Sequence, residues 1–361
     1  MAYLPGTFVR SSDGWVDQRR SVQRRGDETE GLTVEMNVGV LIVGQEGVTW
    51  DDWCALAAAC ERFGIETLLS GDHYISQNDE VGNVAHDAWT TVAALAARTS
   101  SLRLGTLVTP VTFRPPALLA NMVATADHVS GGRIELGLGA GWMEREHEAF
   151  GFPFPEMRVR LKMFAEQLEI VHRLWTEERV SFAGEHYTLV DAPGMPKPLQ
   201  SPHPLIVVGG SGTRGTAIPA ARFADEYNTA WIDHPGEFAA IRERVLAACT
   251  EVNRDPATMR FSIAIHSVVG TSRDEALEKA RAIHALRPRE QGFDDWFASF
   301  AESRLVGSVD EVGEQLLTYA EQGADRVMLI HSLHRDLESI QLIGERLVPV
   351  LRQAGTRVLP A

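Results

Sequence analysis

Residues 131–155 read GGRIELGLGAGWMEREHEAFGFPFP, and this stretch decides the fold prediction. Its first part, Ile134–Leu138, is a short run rich in apolar residues, as expected for a buried β-strand. Glycines at positions 137, 139 and 141 leave the backbone open to a ligand or to another strand. Their spacing differs from the GxGxxG fingerprint of dinucleotide-binding folds. The stretch therefore predicts a strand whose carboxyl end faces a ligand. It also indicates that the fold is not a Rossmann fold.

Similar runs lie on both sides of this strand and alternate with stretches of helical length, which is the pattern of βαβ units and a parallel sheet. The predicted strands are Val38–Val43, Thr67–Ser70, Arg103–Val108, Ile134–Leu138, Leu205–Val208, Glu226–Ala230, Phe261–Val269 and Val327–Ile330. The predicted helices are Trp50–Phe63, Asp87–Thr99, Pro116–Val129, Arg158–Trp175, Arg214–Phe223, Pro235–Asn253, Asp274–His284, Val309–Gln322 and Asp336–Arg352. Eight strands with helices between them favour one (β/α)₈ TIM barrel with insertions over an open α/β sheet.

Four segments do not follow this alternation. Residues 1–35 are polar and of mixed charge, which predicts a disordered or loosely attached extension before a barrel domain at 36–361. Arg179–Leu189 has the pattern of a hairpin around Gly184, and Pro288–Ser303 is an aromatic-rich insertion. The charged residues after Gly141 predict an irregular segment. Insertions after barrel strands often build substrate pockets.

The bulk composition limits the possible partners. The formal net charge of −15 argues against a nucleic-acid or anionic-membrane surface, which would repel the chain. The three cysteines, Cys54, Cys60 and Cys249, have the spacing of neither a disulfide framework nor a zinc site. We therefore expect a cytoplasmic protein without a metal. The sequence shows no apolar run of transmembrane length and no signal-peptide pattern in its first residues.

Polar side chains at the predicted strand ends are candidates for chemistry, because a barrel places its active site there. The second strand ends in SGDHY, which puts Asp72 and His73 at the mouth. A histidine can hold or transfer a proton near neutral pH, and an adjacent carboxylate can orient its loop. On these residues alone, a catalytic pair and a loop cap with a space-filling histidine are equally good interpretations.

The ends of the third and fourth strands are less specific. Thr106, Leu107 and Val108 could let a flat ring lie against the backbone, although a buried strand explains these residues better. After the fourth strand, several side chains lie where they could reach a substrate, and a solvated face explains the two glutamates equally well. These residues are Trp142, Glu144, Glu146 and His147.

The end of the fifth strand carries the strongest physical signal in the chain. A strand followed by a glycine-rich turn and a helix presents free N–H groups and the helix dipole to an anion. This context favours phosphate binding over a plain glycine turn. The candidate residues are Gly209, Gly210, Ser211, Gly212, Thr213 and, as a cation, Arg214.

Other barrel chemistries fit the residues poorly. A Schiff-base aldolase needs a lysine on a strand, and Lys162, Lys197 and Lys279 lie outside the predicted strands. A metal-dependent amidohydrolase needs paired histidines on the first strand, and VGVLIVG at 38–44 has none.

The quoted stretch, with LGTLVTPVTFRPPALLANMVATADHVS at 104–130 and the GGSG turn at 209–212, resembles the luciferase-like monooxygenase superfamily. It is similar in particular to an actinobacterial branch usually assigned to the deazaflavin coenzyme F420. The resemblance extends from Met36 to the last helix and includes VGSVDEVGEQLLTYAEQGADRVML at 306–329. It implies a (β/α)₈ barrel with an insertion, a homodimer, and an isoalloxazine-type ring bound at the C-terminal mouth.

The resemblance also implies roles for single residues. Asp72 and His73 match the strand-two pair beside the ring, and a segment like Thr106–Thr109 often carries a cis non-proline peptide against it. The implied cofactor-binding residues are Thr106, Leu107, Val108, Thr109, Gly139, Ala140, Gly141, Gly209, Gly210 and Ser211. Trp142 and His147 are the expected substrate-binding residues because of their position after the fourth strand. Trp142 stands where the sugar-phosphate dehydrogenases of the superfamily carry a catalytic glutamate. A sugar phosphate is therefore not the expected substrate.

The leading hypothesis is an oxidoreductase that transfers a hydride between F420 and a small organic substrate. In this hypothesis His73 positions or exchanges a proton, Asp72 lies beside it, and a flavin or F420 reductase supplies reduced cofactor. One alternative is a monooxygenase that uses reduced FMN and O₂ on the same fold. A second alternative is a non-catalytic flavin-binding relative.

Overall fold

The computed structural model describes residues 8–11, 14–17, 36–76, 85–232, 234–286 and 291–353. The strands are β1 Phe8–Ser11, β2 Gly14–Asp17, β3 Asn37–Ile42, β4 Thr67–Ser70, β5 Arg103–Pro110, β6 Ile134–Gly139, β7 Arg179–Ala183, β8 Thr188–Pro193, β9 Leu205–Gly209, β10 Glu226–Ala230, β11 Arg260–Gly270, β12 Leu305–Ser308 and β13 Arg326–His331. The α-helices are α1 Trp50–Phe63, α2 Ala88–Ala96, α3 Pro116–Ser130, α4 Glu144–Phe150, α5 Met157–Thr176, α6 Arg214–Phe223, α7 Pro235–Glu251, α8 Arg273–Ala285, α9 Phe293–Glu302, α10 Val309–Glu321, α11 Leu337–Leu342 and α12 Val348–Gln353. A 3₁₀ turn at Pro256–Thr258 and a π-helical turn at Ile343–Leu347 complete the described elements.

Eight parallel strands close into a barrel. Their order around the ring is β3, β4, β5, β6, β9, β10, β11 and β13. The ring closes where β13 pairs with β3, with Met328 opposite Gly39, and where β10 pairs with β11, with Asn228 opposite Ser262. Helices connect the consecutive strands, so the structure confirms the predicted (β/α)₈ barrel. The bounds of β4 and β10 are those expected from the sequence.

The barrel strands bury both of their faces, as parallel strands in α/β folds do. The outer face packs against the helices and forms the larger core, which includes Leu56 of α1 and Phe164 of α5. The inner face holds a smaller apolar cluster that includes Leu41, Leu69 and Met328. This cluster forms the floor beneath the mouth.

A buried ion-pair network closes the amino-terminal end of the barrel. Arg326 of β13 is 3% exposed and donates to Glu135 of β6 at 2.8 Å and to Glu226 of β10 at 2.7 Å. Arg103 also donates to Glu135, at 2.6 Å, and the Ser262 hydroxyl donates to Glu226 at 2.5 Å. Because β6 and β13 lie on opposite sides of the ring, the network crosses the barrel interior.

The predicted N-terminal extension contains structure that its sequence did not indicate. Phe8–Ser11 and Gly14–Asp17 pair as an antiparallel hairpin. The rest of residues 1–35 lies outside the described residues. The predicted hairpin at Arg179–Leu189 forms from β7 and β8 and extends to Pro193.

Two further segments are more regular than expected. The segment after Gly141, predicted to be irregular, contains α4, and Glu146 and His147 of this helix are buried despite their polarity. The aromatic insertion contains α9, which buries Trp296 and Phe300. β12 then adds a parallel strand beside β11 that the sequence analysis missed.

The last predicted helix, Asp336–Arg352, is interrupted by the π-helical turn. Gly344 lies in that turn, and a Cβ at this position would be 2.2 Å from the carbonyl oxygen of Phe63. The close approach to the end of α1 thus requires a residue without a side chain.

Replacing Arg326 with Met is expected to destabilise the protein by about 3–5 kcal/mol, because Glu135 and Glu226 would stay buried without their shared cation. Urea or thermal unfolding would measure this loss. The triple variant Arg326→Met, Glu135→Gln, Glu226→Gln removes the charges together and should recover part of the stability. If Arg326→Met unfolds like the wild type, the network does not stabilise the barrel.

Acid should weaken the same network. Burial raises the pKa of Glu135, but Arg326 and Arg103 outweigh this effect and lower the pKa to about 2. Because an unfolded glutamate titrates near about 4.3, the stability contributed by ionised Glu135 is present above that pH and is lost as the pH falls towards 2. Glu135→Gln should therefore show a shallower loss of unfolding free energy between about pH 5 and pH 2. Parallel curves for the two proteins, measured by urea titration, would contradict this assignment.

Candidate active site

The carboxyl ends of four neighbouring strands bring the sequence-predicted residues to one side of the mouth. β4 leads directly into Asp72 and His73, β5 ends at Pro110, β6 at Gly139 and β9 at Gly209. These four strands are consecutive in the ring. The residues predicted around the ring and around its phosphate therefore lie along one continuous arc.

β5 is irregular where it reaches the mouth. The Leu107–Val108 peptide bond is cis, and the register of β5 against β6 shifts across it. The bond falls within the segment for which the resemblance implied a cis peptide. A Cβ at Gly139 would lie 2.6 Å from the Val108 side chain, and a Cβ at Gly209 would lie 3.0 Å from it. The Val108 side chain thus lies between the ends of β6 and β9.

His73 is paired with a carboxylate from a distant part of the chain. Its Nδ1 lies 2.9 Å from Oε2 of Glu146, which has no exposed surface. The other carboxylate oxygen of Glu146 accepts hydrogen bonds from the backbone amides of Tyr74 and Ile75. This arrangement favours a proton on Nδ1 of His73 and leaves Nε2 as the nitrogen that can exchange a proton.

Asp72 is held in a second network. It is 1% exposed and accepts hydrogen bonds from Arg114 at 2.6 Å and from the Thr109 hydroxyl at 2.8 Å. Arg114 also donates to Asp87, the N-cap of α2, at 2.7 Å. Burial raises the pKa of Asp72, against the lowering effect of Arg114 and Thr109. Asp72 therefore joins the ends of β4 and β5 and positions the loop that carries His73.

The two predicted substrate residues lie in different environments. Trp142 is 56% exposed, and its ring meets His73 edge-on with the ring centroids 5.6 Å apart. His147 is 1% exposed, with Nε2 2.6 Å from the Thr112 hydroxyl and Nδ1 2.7 Å from the carbonyl oxygen of Met143. In this arrangement Trp142 can contact a ligand directly, whereas both nitrogens of His147 are engaged in holding α4 against the loop after β5.

The turn after β9 presents backbone donors at the start of a helix. Gly212 has a φ of 71°, and its amide donates to the hydroxyl of Tyr227. α6 begins at Arg214, and its N-cap Thr213 makes no side-chain capping hydrogen bond. Free amides at a helix start suit a phosphate. In the described part of the chain, the amides of Ser211, Thr213, Arg214 and Gly215 have no hydrogen-bond partner.

Two arginines lie near this turn. Arg214, the cation expected from the sequence, instead pairs with Glu251 at 2.5 Å, and its side chain is 74% exposed. A surface pair of this kind contributes only about 0–1 kcal/mol, so Arg214 can turn to an anion at little cost. Arg244 of α7, which the sequence analysis missed, donates to the carbonyl oxygens of Ser211 and Gly212 at 3.1 and 3.3 Å.

The sequence alone did not show which of the two glutamates, Glu144 or Glu146, contributes to the site. Glu144 is exposed, as a solvated face requires, whereas Glu146 is buried. The two residues share one short charged segment, and the contact of Glu146 spans 73 positions to His73. A local pattern holds no signal for such a contact. Arg114 directly precedes Pro115 and Pro116, and its role was likewise recognisable only from its partners Asp72 and Asp87.

The mouth residues fit a flat ring with a phosphate-bearing tail. A Cβ at Gly137 would lie 2.1 Å from the carbonyl oxygen of Thr106, so β5 and β6 approach too closely there for any side chain. The bare strand ends and Val108 form a smooth surface for a ring, and the turn after β9 supplies donors for a phosphate. This combination of apolar surface and a few convergent polar groups is typical of cofactor sites.

Neither a metal cluster nor a membrane-spanning helix is present among the described residues. These residues contain no cluster of three or more His, Cys, Asp or Glu side chains arranged to hold a metal ion. Within the same residues, no helix combines the length and the apolar character needed to span a bilayer.

The chain is similar to several known oxidoreductases. The chain is 33% identical over 331 residues to an F420-dependent glucose-6-phosphate dehydrogenase of Amycolatopsis mediterranei, covering 84% of this chain and 95% of that protein. It is 28% identical to an FMNH₂-dependent dimethylsulfone monooxygenase of Pseudomonas putida, covering 87% of this chain and 93% of that protein. The structure of the monooxygenase RslO1 from Streptomyces bottropensis matches with a TM-score of 0.72 at 25% identity, covering 87% of this chain and 99% of that one.

The family model for luciferase-like monooxygenases matches residues 36–326, from the first barrel strand to the start of the last. The match spans the residues of the mouth described above, including His73, Glu146 and the turn after β9. This chain therefore belongs to the luciferase-like monooxygenase family of oxidoreductases.

Proposed function

We propose that the protein transfers a hydride between F420 and a small organic substrate at the mouth of the barrel. The observation that carries the proposal is the pairing of His73 with Glu146. Burying a carboxylate is costly unless it is well paired, and this one is held by two backbone amides and directed at a single imidazole. Such an oriented imidazole beside a cofactor surface suits proton transfer.

F420 is the preferred cofactor because of the resemblance over residues 131–155 and the F420-dependent relative from Amycolatopsis mediterranei. The relative from Pseudomonas putida supports the alternative of reduced FMN and O₂. The two cofactors share the ring shape and phosphate that the mouth fits. They differ in chemistry, because only the flavin nitrogen at the central ring supports reaction with oxygen.

Each group at the mouth has a role in the proposed reaction. F420, when bound, would supply a ring carbon that accepts or donates a hydride. Nε2 of His73 would hold or transfer the accompanying proton, while Glu146 fixes Nδ1. Asp72 keeps the loop of His73 in place through Arg114, and Trp142 shields the imidazole from water.

A sugar phosphate remains a poor candidate for the substrate, although relatives are named for glucose 6-phosphate. Trp142 occupies the position after the strand-four glycines, and it carries no acid. Each of the three lysines is already engaged: Lys162 with Glu185, Lys279 with Asp336, and Lys197 with the carbonyl oxygens of Leu174 and Glu177.

Two partners follow from this proposal. A separate flavin or F420 reductase would regenerate the cofactor, and the family resemblance favours a homodimer. A non-catalytic cofactor-binding role is less well supported, because a barrel that only sequesters the ring does not need an imidazole oriented by a buried carboxylate.

The phosphate of the cofactor should contribute strongly to binding. We expect F420 to bind about 10- to 100-fold more tightly than its phosphate-free deazariboflavin fragment, because charge-assisted hydrogen bonds to the turn after β9 would be lost. Fluorescence titration measures both affinities, and FMN with riboflavin is the parallel pair. Arg244→Ala should reduce both affinity ratios, that of F420 to its phosphate-free fragment and that of FMN to riboflavin. Tight binding of FMN with no binding of F420 would overturn the cofactor assignment.

Removing the imidazole should affect turnover and spare cofactor binding. His73→Ala is expected to lower kcat by about 10²–10⁴-fold, the usual contribution of a general acid or base. Glu146→Gln keeps the shape but not the charge, and it should lower kcat less. Cofactor oxidation followed by absorbance measures turnover, and ¹⁵N-histidine NMR should show the Nδ1–H tautomer of His73 in the wild type and its loss in Glu146→Gln. An active His73→Ala with normal kcat would rule out the proposed role.

A further inference from the structure

We infer that Trp231 is the substrate platform of this mouth, and that the substrate is an uncharged compound with a flat unsaturated or aromatic part. The inference rests on the proposed function, because it locates the substrate across the mouth from the cofactor. The residues involved lie on the arc of the barrel that the cofactor residues leave vacant.

The ring order places Trp231 opposite His73. In a closed barrel of eight strands, strands four places apart face each other across the axis. β10 lies four places from β4 in the ring. Trp231 directly follows β10, and His73 follows β4 by three residues. A molecule lying on the cofactor arc would therefore meet Trp231 from its other side.

The backbone of Trp231 is in a conformation that its side chain disfavours. Its φ is 59°, in the left-handed region that bulky residues rarely occupy. The other described non-glycine residues with positive φ are Asp191 and Asn253, types that tolerate it. Trp231 is 68% exposed, so packing of its side chain within the fold does not compensate for the energetic cost of this backbone conformation. Strain of this kind at a strand end points to a functional constraint.

His266 supports the indole from the barrel side. Ala264 of β11 belongs to the inner apolar cluster, and alternation along the strand turns His266 to the same interior face. The rings of Trp231 and His266 have centroids 5.5 Å apart at an angle of 55°. Nδ1 of His266 lies 3.4 Å from the hydroxyl of Ser332, which fixes the imidazole. The indole is thus held over the mouth with one face available.

The surroundings favour an uncharged ligand. The floor is apolar, with Leu41, Leu69 and Met328 beneath the mouth. Arg114 is 7% exposed, and both Asp72 and Asp87 neutralise it. An exposed indole face over an apolar floor is suited to stacking with a flat neutral ring or conjugated system.

The test uses the full-length protein loaded with cofactor. Three probe compounds that differ in charge and shape are compared. 2-Acetylnaphthalene is flat and neutral, glucose 6-phosphate is anionic, and choline is cationic. Calorimetry should show binding of 2-acetylnaphthalene and weaker or no binding of the other two. Trp231→Asn should weaken that binding by about 3- to 10-fold, the loss expected for one aromatic stack. Trp231→Phe should keep most of the affinity.

Two controls separate the possible failures. Trp231→Asn should not lower the melting temperature, because Asn tolerates the left-handed backbone, and Val190→Asn on the exposed hairpin should leave probe binding unchanged. A lower melting temperature with unchanged probe affinity would show a structural role and overturn the inference. Tighter binding of glucose 6-phosphate or choline would overturn the substrate class. A separate titration of F420 tests the proposed function alone, and Trp231→Asn should leave that affinity unchanged.

Discussion

Closure of the parallel ring is the constraint on which the rest of this structure depends. Parallel strands all end at the same rim, and the pairings of β13 with β3 and of β10 with β11 turn that rim into a circle. Residues separated by long stretches of sequence then become neighbours. The arc from β4 to β9 and the contact between His73 and Glu146 follow from the parallel order of these neighbouring strands, and closure brings the end of β10 to the other side of the same mouth.

The two ends of the barrel use polar groups differently. At the amino-terminal end, the charges of Arg326, Glu135 and Glu226 satisfy one another across the interior, which is a stabilising arrangement. At the mouth, several polar groups lack partners. Gln45 lies three residues after β3 and is 1% exposed, and both polar atoms of its side chain have no hydrogen bond. Four backbone amides after β9, on residues that are exposed or half-buried, also have no protein partner. A buried side-chain amide without a partner reduces stability, so Gln45 is consistent with a ligand site at this rim.

The sequence predicts the barrel well because each element carries its own signal. α1 has the predicted bounds: a capping box between Thr49 and Asp52 begins it, and left-handed Gly64 ends it. Site residues directly after strands, such as His73, could be identified for the same reason. Glu146 could not, because a charged residue on a short helix looks solvated until the facing loop is known. The strain at Trp231 also has no sequence signature, since tryptophan is not a residue type that favours a left-handed backbone.

One side of the mouth is formed mainly by backbone groups and the other mainly by side chains, and this difference affects specificity. The side proposed for the cofactor relies on backbone features: a bulge at Val108, strand ends where a Cβ would collide, and amides at a helix start. Few substitutions are compatible with such features. The opposite side relies on exposed side chains such as Trp231, which can change without disturbing the barrel. Relatives that share this fold are accordingly named for substrates as different as glucose 6-phosphate and dimethylsulfone. The substrate of this chain therefore has to be read from its own side chains, because the shared backbone constrains the cofactor and leaves the reaction partner free to vary.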